Sequence, residues 1–305
     1  MKKCVVLIFV MALVYAKVNA QKDFTWWNEQ HNWDGLRHWT AYSKLTSKYM
    51  GPNALPVPDS KKGILPTQTQ LKIAGEGHFS DGDNTQNLFS SFYLPLFTER
   101  VGFQLEMVPV ELYKMDDKTR DERVSREFVS EGYTVGDLYI ATFIQVTKNH
   151  EKLPDMVLGI NFRTASGANL DAARFTNTPG YFFDFSASKE ITFNGDLIQS
   201  IRPHALAGFY VYQTYLENNY QNDAFMYGIG IDINSKNLTY EASLNGYVGY
   251  LNAGDRPMVA RIGIGSNNPE KTNFGVRIQQ GIFDQQYTTA RVYCILKLKK
   301  WKLPE

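Results

Sequence analysis

Leu238-Thr-Tyr-Glu-Ala-Ser-Leu-Asn-Gly-Tyr-Val-Gly-Tyr250 alternates without a break. Leu238, Tyr240, Ala242, Leu244, Gly246, Val248 and Tyr250 take one face, and Thr239, Glu241, Ser243, Asn245, Tyr247 and Gly249 take the other. Successive side chains of a strand point to opposite sides, so the stretch reads as a strand with one apolar and one wet face. The pattern recurs in Phe225, Tyr227, Ile229, Ile231 and Ile233 against Met226, Gly228, Gly230 and Asp232. It recurs again in Met258, Ala260, Ile262 and Ile264 against Arg261, Gly263 and Gly265, and in Phe274, Val276 and Ile278 against Gly275, Arg277 and Gln279.

With the weaker segments, strands are expected near 68–80, 87–98, 101–112, 136–148, 155–166, 180–189, 200–214, 222–233, 237–251, 256–267, 271–283 and 286–298. A soluble sandwich also alternates, but its strands average roughly five or six residues, whereas a strand crossing a bilayer at a tilt needs roughly nine to eleven. The fold expected for 67–305 is therefore all-β: a transmembrane, antiparallel, up-and-down β-barrel of about twelve strands in a bacterial outer membrane. An even count suits such a barrel with both termini on the periplasmic side. The long connections 114–135 and 167–179 then face outside, and the turns 98–100 and 235–236 face inside. The 192–199 connection is longer than that rule expects, and Pro109 interrupts the third alternation, which predicts a bulge. Tyr and Phe gather near strand ends, as Tyr181, Phe182, Phe183, Tyr210 and Tyr250 do, in the manner of interfacial girdles.

Residues 1–20 read as a secretory signal peptide: Met1, Lys2 and Lys3, an apolar run over 4–16, then Val18, Asn19 and Ala20. The run is short of the roughly 18 to 20 residues a spanning helix needs. Cys4 opens the run, which excludes a lipid-modified cysteine, and Cys294 alone remains after cleavage, which excludes an intramolecular disulfide. The formal charge is +1 and removal of Lys2, Lys3 and Lys17 leaves a near-balanced chain with no footprint for nucleic acid. Residues 21–66 differ from the rest, carrying Trp26, Trp27, Trp33 and Trp39 and then Pro52, Pro56 and Pro58. Trp26 and Trp33 suit one face of a short amphipathic helix, which Gly35 weakens. Such an element could plug the barrel, lie on the inner membrane surface or bind a partner protein.

Strict alternation turns Glu76, His78, Arg163, Asp184, Asp232, Glu241, Arg261, Arg277 and Arg291 inward. Buried charges need partners, so one expectation is a salt-bridge network that fills the lumen. The other is a polar pathway whose mixed charges orient a small solute. His78 and Ser80, two apart on one face, are the candidate catalytic pair, with imidazole as base, hydroxyl as nucleophile and Asn84 or Asn87 as orienter. Their spacing is similar to the His-x-Ser arrangement of outer-membrane phospholipase A and lipid A deacylase, although Phe79 rather than His78 takes the lipid face. A serine beside Asp81, Gly82 and Asp83 is also ordinary turn chemistry. Asp81, Asp83 and Asn84 echo only part of a calcium loop. His31, Asp34 and His38 match no zinc spacing, so no metal and no cofactor is expected.

Gly51-Pro-Asn-Ala-Leu-Pro-Val-Pro58, Gly136-Asp-Leu-Tyr139, Asn161-Phe-Arg-Thr-Ala-Ser-Gly167 and Ala173-Arg-Phe-Thr-Asn-Thr-Pro-Gly-Tyr-Phe-Phe-Asp184 together resemble an uncharacterised family of Bacteroidota outer-membrane proteins. The resemblance covers most of the mature chain and implies a barrel in that compartment, without an assigned activity or catalytic residues. The expected function is a channel or transporter for small polar solutes. Its alternatives are a structural or partner-binding subunit of an outer-membrane complex and a lipid hydrolase using His78 and Ser80. Expected partners are outer-membrane lipid and lipopolysaccharide, and the barrel-assembly machinery during biogenesis.

Overall fold

The computed structural model describes residues 22–298 apart from 97, 98 and 196. The expected signal peptide, with Cys4, and part of the 98–100 turn lie outside the described residues. The chain divides into two units, Met1–His38 and Trp39–Glu305. Among the described residues of the first, helix is confined to α1 (Thr25–Gln30), so the expected amphipathic helix reaching Trp33 does not form. Instead Asp34 accepts from the backbone nitrogens of Leu36 and Arg37, and Trp33 Nε1 donates to the Arg37 carbonyl at 2.8 Å, which makes a turn at that point.

The second unit holds fourteen strands: β1 (Thr69–Ser80), β2 (Asp83–Leu96), β3 (Val101–Met115), β4 (Glu131–Thr134), β5 (Tyr139–Thr147), β6 (Asp155–Arg163), β7 (Gly180–Ser188), β8 (Ile191–Thr192), β9 (Ser200–Leu216), β10 (Asn219–Asn234), β11 (Leu238–Val248), β12 (Met258–Ser266), β13 (Asn273–Phe283) and β14 (Thr288–Leu298). Twelve of them close an antiparallel ring, in which β1 pairs with β14 and β9 with β10. The remaining two, β4 and β8, are short additions to β3 and β9 within the connections expected as loops. No helix among the described residues is long and apolar enough to cross a membrane. The crossing is made by strands, whose outer faces expose Ile229, Ile262, Phe274 and Val292 at 60% or more. A closed ring leaves no unpaired backbone edge to lipid, and this outward apolar belt is that of a bacterial outer-membrane protein.

The β2–β3 register slips between Leu88 and Ser90, which face Val110 and Met107, so the extra residue falls at Val108–Pro109 where the bulge is expected. Below it Gln104 and Glu106 face inward; beyond it the inward set becomes Glu111, Tyr113 and Met115. The bulge therefore re-aims one strand between the middle of the lumen and its rim.

At one rim, β1 begins and β14 ends beside short connections. The other, the loop rim, carries the residues between β3 and β5, including α2 (Asp117–Glu122), and those between β6 and β7. Asp116 caps α2 by accepting from Thr119 N at 2.7 Å, which holds its carboxyl below the ordinary value. The β1–β2 turn passes beneath this cap at Gly82, whose φ of +79° and whose missing side chain are both required. A Cβ there would meet Thr119 Oγ1 at 2.0 Å.

Candidate functional site

The decisive feature lies ahead of β1. Trp39 is stacked by Arg126, and Lys44 Nζ donates to the Glu122 carbonyl, so this stretch starts at the loop rim. Thr46 Oγ1 bonds Ala253 O, Lys48 N bonds Gly254 O, and Gly51 N bonds Ala173 O at 2.8 Å. Further along, Arg163 Nη1 donates to Ala54 O at 2.6 Å and Arg261 Nη2 to Val57 O at 2.6 Å. Lys61 N then reaches Ser186 Oγ, and Gln145 binds both Gly63 O and Leu65 N. Residues 45–65 thus run down the inside of the barrel to the rim where β1 starts. The expectation of both termini on one side holds for the strand ends of the ring, whereas the segment before β1 returns through the lumen to the opposite rim. Prolines suit this path: Pro52 lies in the turn closed by Ala54 N on Gly51 O, and at 56 and 58 a chain without ladder partners loses little by lacking N–H groups.

One side of this segment is apolar. Met50, Leu55 and Val57 pack on Tyr210, Tyr212, Met226, Tyr247 and Val259 of β9 to β12, all nearly or fully buried. Tyr247 Oη bonds Ser47 Oγ and the Leu55 carbonyl. The face expected to be wet, with Asn245 1% exposed and Tyr247 0%, is here dry, because the segment covers it.

Its other contacts are ionic. Lys62 Nζ lies 2.9 Å from both Asp232 and Glu241. The Asp59 carboxylate lies 2.7 Å from both Arg261 and Arg277 while keeping 41% of its side-chain surface open to the interior space. Glu76 pairs with Arg291 within the wall. Arg277 and Arg291 stand directly opposite each other across β13 and β14. Like charges so placed repel, and Glu76 and Asp59 supply the missing anions. That like-charge pair was the sequence signal that another acid must reach this wall. Asp59 and Lys62 themselves carry no alternation and were not picked out.

The remaining inward residues are placed as follows. Arg163, fully enclosed, bonds the Ala54 and Thr178 carbonyls and lies 4.0 Å from Asp137. Burial pushes the Asp137 carboxyl up, against the pull of Arg163. Asp184 accepts from Asn161 Nδ2 at 2.8 Å. His78 spends Nδ1 on Thr289 Oγ1 at 2.8 Å and Nε2 on Asn87 Oδ1 at 2.6 Å, and Ser80 Oγ donates to the Asp83 carbonyl. The imidazole and hydroxyl of the candidate catalytic pair are therefore each engaged elsewhere. Asn87 does contact the ring, as expected of an orienter, but its Nδ2 also donates to Glu76 at 2.7 Å, tying both into the wall network. In the N-terminal unit Asp34 bonds Arg37 at 2.6 Å, and no group of three His, Cys, Asp or Glu among the described residues is placed to hold a metal.

A second network, which alternation does not reveal, lies at the loop rim. Asp83 accepts from Arg123 at 2.6 Å, Arg174 at 2.8 Å and Tyr287 Oη at 2.5 Å, while Arg174 also holds Glu111 at 2.8 Å. Asn53 of the inner segment joins it through Glu111 and Asn87. Gly51 packs so closely that a Cβ would lie 2.8 Å from the Arg174 guanidinium carbon. These residues come from six separate stretches, so no local pattern marks them as a cluster.

Between the inner segment and the β1–β3 and β14 wall lies a cavity of about 400 Å³. Lys72, Glu76, Ser91, Gln104, Glu106 and Arg291 line its polar side, and Phe89, Tyr93 and Phe143 its apolar side.

The barrel is similar to an outer membrane channel from Pseudomonas putida F1, with 10% identity, 80% of this chain and 100% of that chain covered, and a TM-score of 0.54. It is also similar to the transport unit of the autotransporter AIDA-I from Escherichia coli, with 8% identity, 84% and 100% covered, and a TM-score of 0.50. At such identities the likeness is one of fold. No protein-family model and no curated protein matches the chain.

Proposed function

We propose that this protein is an outer-membrane channel for small polar solutes whose lumen is narrowed by an internal plug, residues 45–65. The observation that carries the reading is the polar cavity of about 400 Å³ left beside the plug. Charged groups that border open space keep their hydration and can meet a passing solute, whereas a barrel serving only as a scaffold is stable with that space filled by apolar side chains. The loop rim faces the outside, so the plug enters from that side. The channel named among the structural relatives fits this use of the fold.

The plug's anchorage is of two kinds. Its apolar side and rim contacts are permanent packing, whereas the Asp59 ion pairs border the cavity and those of Lys62 keep a third of the lysine side chain open, so both respond to ionic content. Planar-bilayer recording tests the reading: the intact protein should show small, weakly selective conductance, and Asp59→Asn with Lys62→Met should raise it severalfold. Silence from both proteins, each shown to be folded by its heat-modifiable gel mobility, would overturn the channel and favour a sealed barrel acting as a partner-binding subunit. Dense plug contacts at the loop rim, including the Asn53 link to Glu111, are what favour that second reading.

A further inference from the structure

Three charged side chains of the cavity are left out of the ion pairs above: Lys61 of the plug, whose Nζ lies 4.6 Å over the Phe143 ring, and two on the barrel wall. Lys72 on β1 lies with Nζ 4.7 Å over the Tyr293 ring, and no carboxylate among the described residues pairs with it. Glu106 on β3 takes a hydrogen bond from Gln104 Nε2 at 2.9 Å and, among the described residues, pairs with no cation. Neither is explained by the plug, which satisfies the arginines and carboxylates of the other walls.

The register places the two on one rung: Lys72 stands opposite Ser91 of β2, and Ser91 opposite Glu106. Neighbouring strands lie about 4.8 Å apart, so the two backbone positions are about 10 Å apart. Between them Ser91 and Gln104 are joined by a 2.9 Å hydrogen bond, and Phe89 and Tyr93 flank the rung along β2. A positive and a negative group, both facing confined space where screening is poor, recognise a molecule that carries the reverse charges at its two ends. Tyr293 holds the lysine ammonium over its ring face, which lowers the ordering cost of binding.

We infer that this rung binds a short zwitterionic peptide, its terminal carboxylate on Lys72 and its terminal ammonium on Glu106. Length sets the class: an extended residue spans about 3.3 to 3.6 Å, so two or three residues place their terminal charges at about the spacing of these two backbone positions, where each meets the side chain that projects from its strand. The Phe89 and Tyr93 rings provide apolar surface for peptide side chains. This site gives the proposed channel its solute class and so rests on that reading.

Calorimetry on the full-length protein in detergent micelles, with alanylalanine and trialanine as probes, tests the site without requiring conductance. Both probes should bind the intact protein. Lys72→Gln, Glu106→Gln, N-acetylation of the probe and amidation of its carboxylate should each weaken binding at least tenfold. The charge exchange Lys72→Glu with Glu106→Lys should recover it, because a zwitterion can bind reversed; this guards against a merely misfolded single variant. Absence of heat with the intact protein, or equal affinity for blocked and unblocked probes, would overturn the site. In bilayers, conductance indifferent to either peptide would overturn the site and leave the channel standing. Peptide binding to a non-conducting barrel would keep the site and remove the channel.

Discussion

The two sides of the lumen differ in kind. On the β9 to β12 side, Tyr212, Met226, Tyr247 and Val259 have no exposed surface and close around Leu55 of the plug. On the β1 to β3 side, Lys72, Phe89, Gln104 and Glu106 are half-buried and border open space. A single segment of turns and irregular chain cannot fill a twelve-stranded ring. It packs as a core against one wall and leaves a polar passage along the other. Charge follows the same division: the loop-rim network around Asp83 and Arg174 is wholly enclosed, whereas Asp59 stays 41% open. The enclosed groups hold the plug's entry, and the open ones can exchange partners with solutes.

Breaking an enclosed ion network should cost most. Arg174→Met leaves Asp83 and Glu111 with fewer partners at a site with no solvent, for a loss of about 3 to 5 kcal/mol. Urea unfolding in detergent, read by heat-modifiable gel mobility, should show it as the largest destabilisation in the series. A loss below that of the plug variants would mean the rim is not the firmer anchor.

Leu55→Ala removes the plug's apolar contact with Tyr247 and should cost about 2 to 5 kcal/mol by cavity formation. Phe89→Ala, on the cavity side, should cost clearly less in the same assay, because Phe89 already borders a void. Equal losses would erase the distinction between the two walls.

Asp59→Asn removes the anion that Arg261 and Arg277 share. Hydrogen bonds to charged groups contribute about 1.5 to 3 kcal/mol, and the openness of Asp59 puts the effect at the lower end of that range. Its clearer signature should be conductance that rises and turns toward anions, since the arginines then face the passage uncompensated. Unchanged reversal potentials would show that Asp59 does not border the conducting path. The smallest effect is expected for Lys72→Gln, within about 0.5 kcal/mol in unfolding, because Lys72 has no ion partner among the described residues to lose. A larger loss would assign Lys72 a structural role and weaken the peptide site.

Alternation is a local property, and for that reason the ring was legible. The expected strand at 237–251 is observed as Leu238–Val248, and that at 200–214 as Ser200–Leu216. The largest slip, 87–98 against Asp83–Leu96, arose because Asp83 and Thr85 are inward polar residues beside a turn and look like loop. The direction of Glu76, Arg261, Arg277 and Arg291 follows from the same period of two. Their partners do not: Arg277 meets Asp59 across 218 residues of chain, and Lys62 meets Glu241 across 179. No periodicity links a proline-rich irregular segment to a wall, because its path through the barrel is set by which surface it can cover once the ring has closed. Strand number, facing and lipid exposure were thus written in the order of residues. The plug, the dry wall and the cavity beside it were decided only when closure brought the 45–65 segment into a space where apolar burial and unpaired arginines together chose its side.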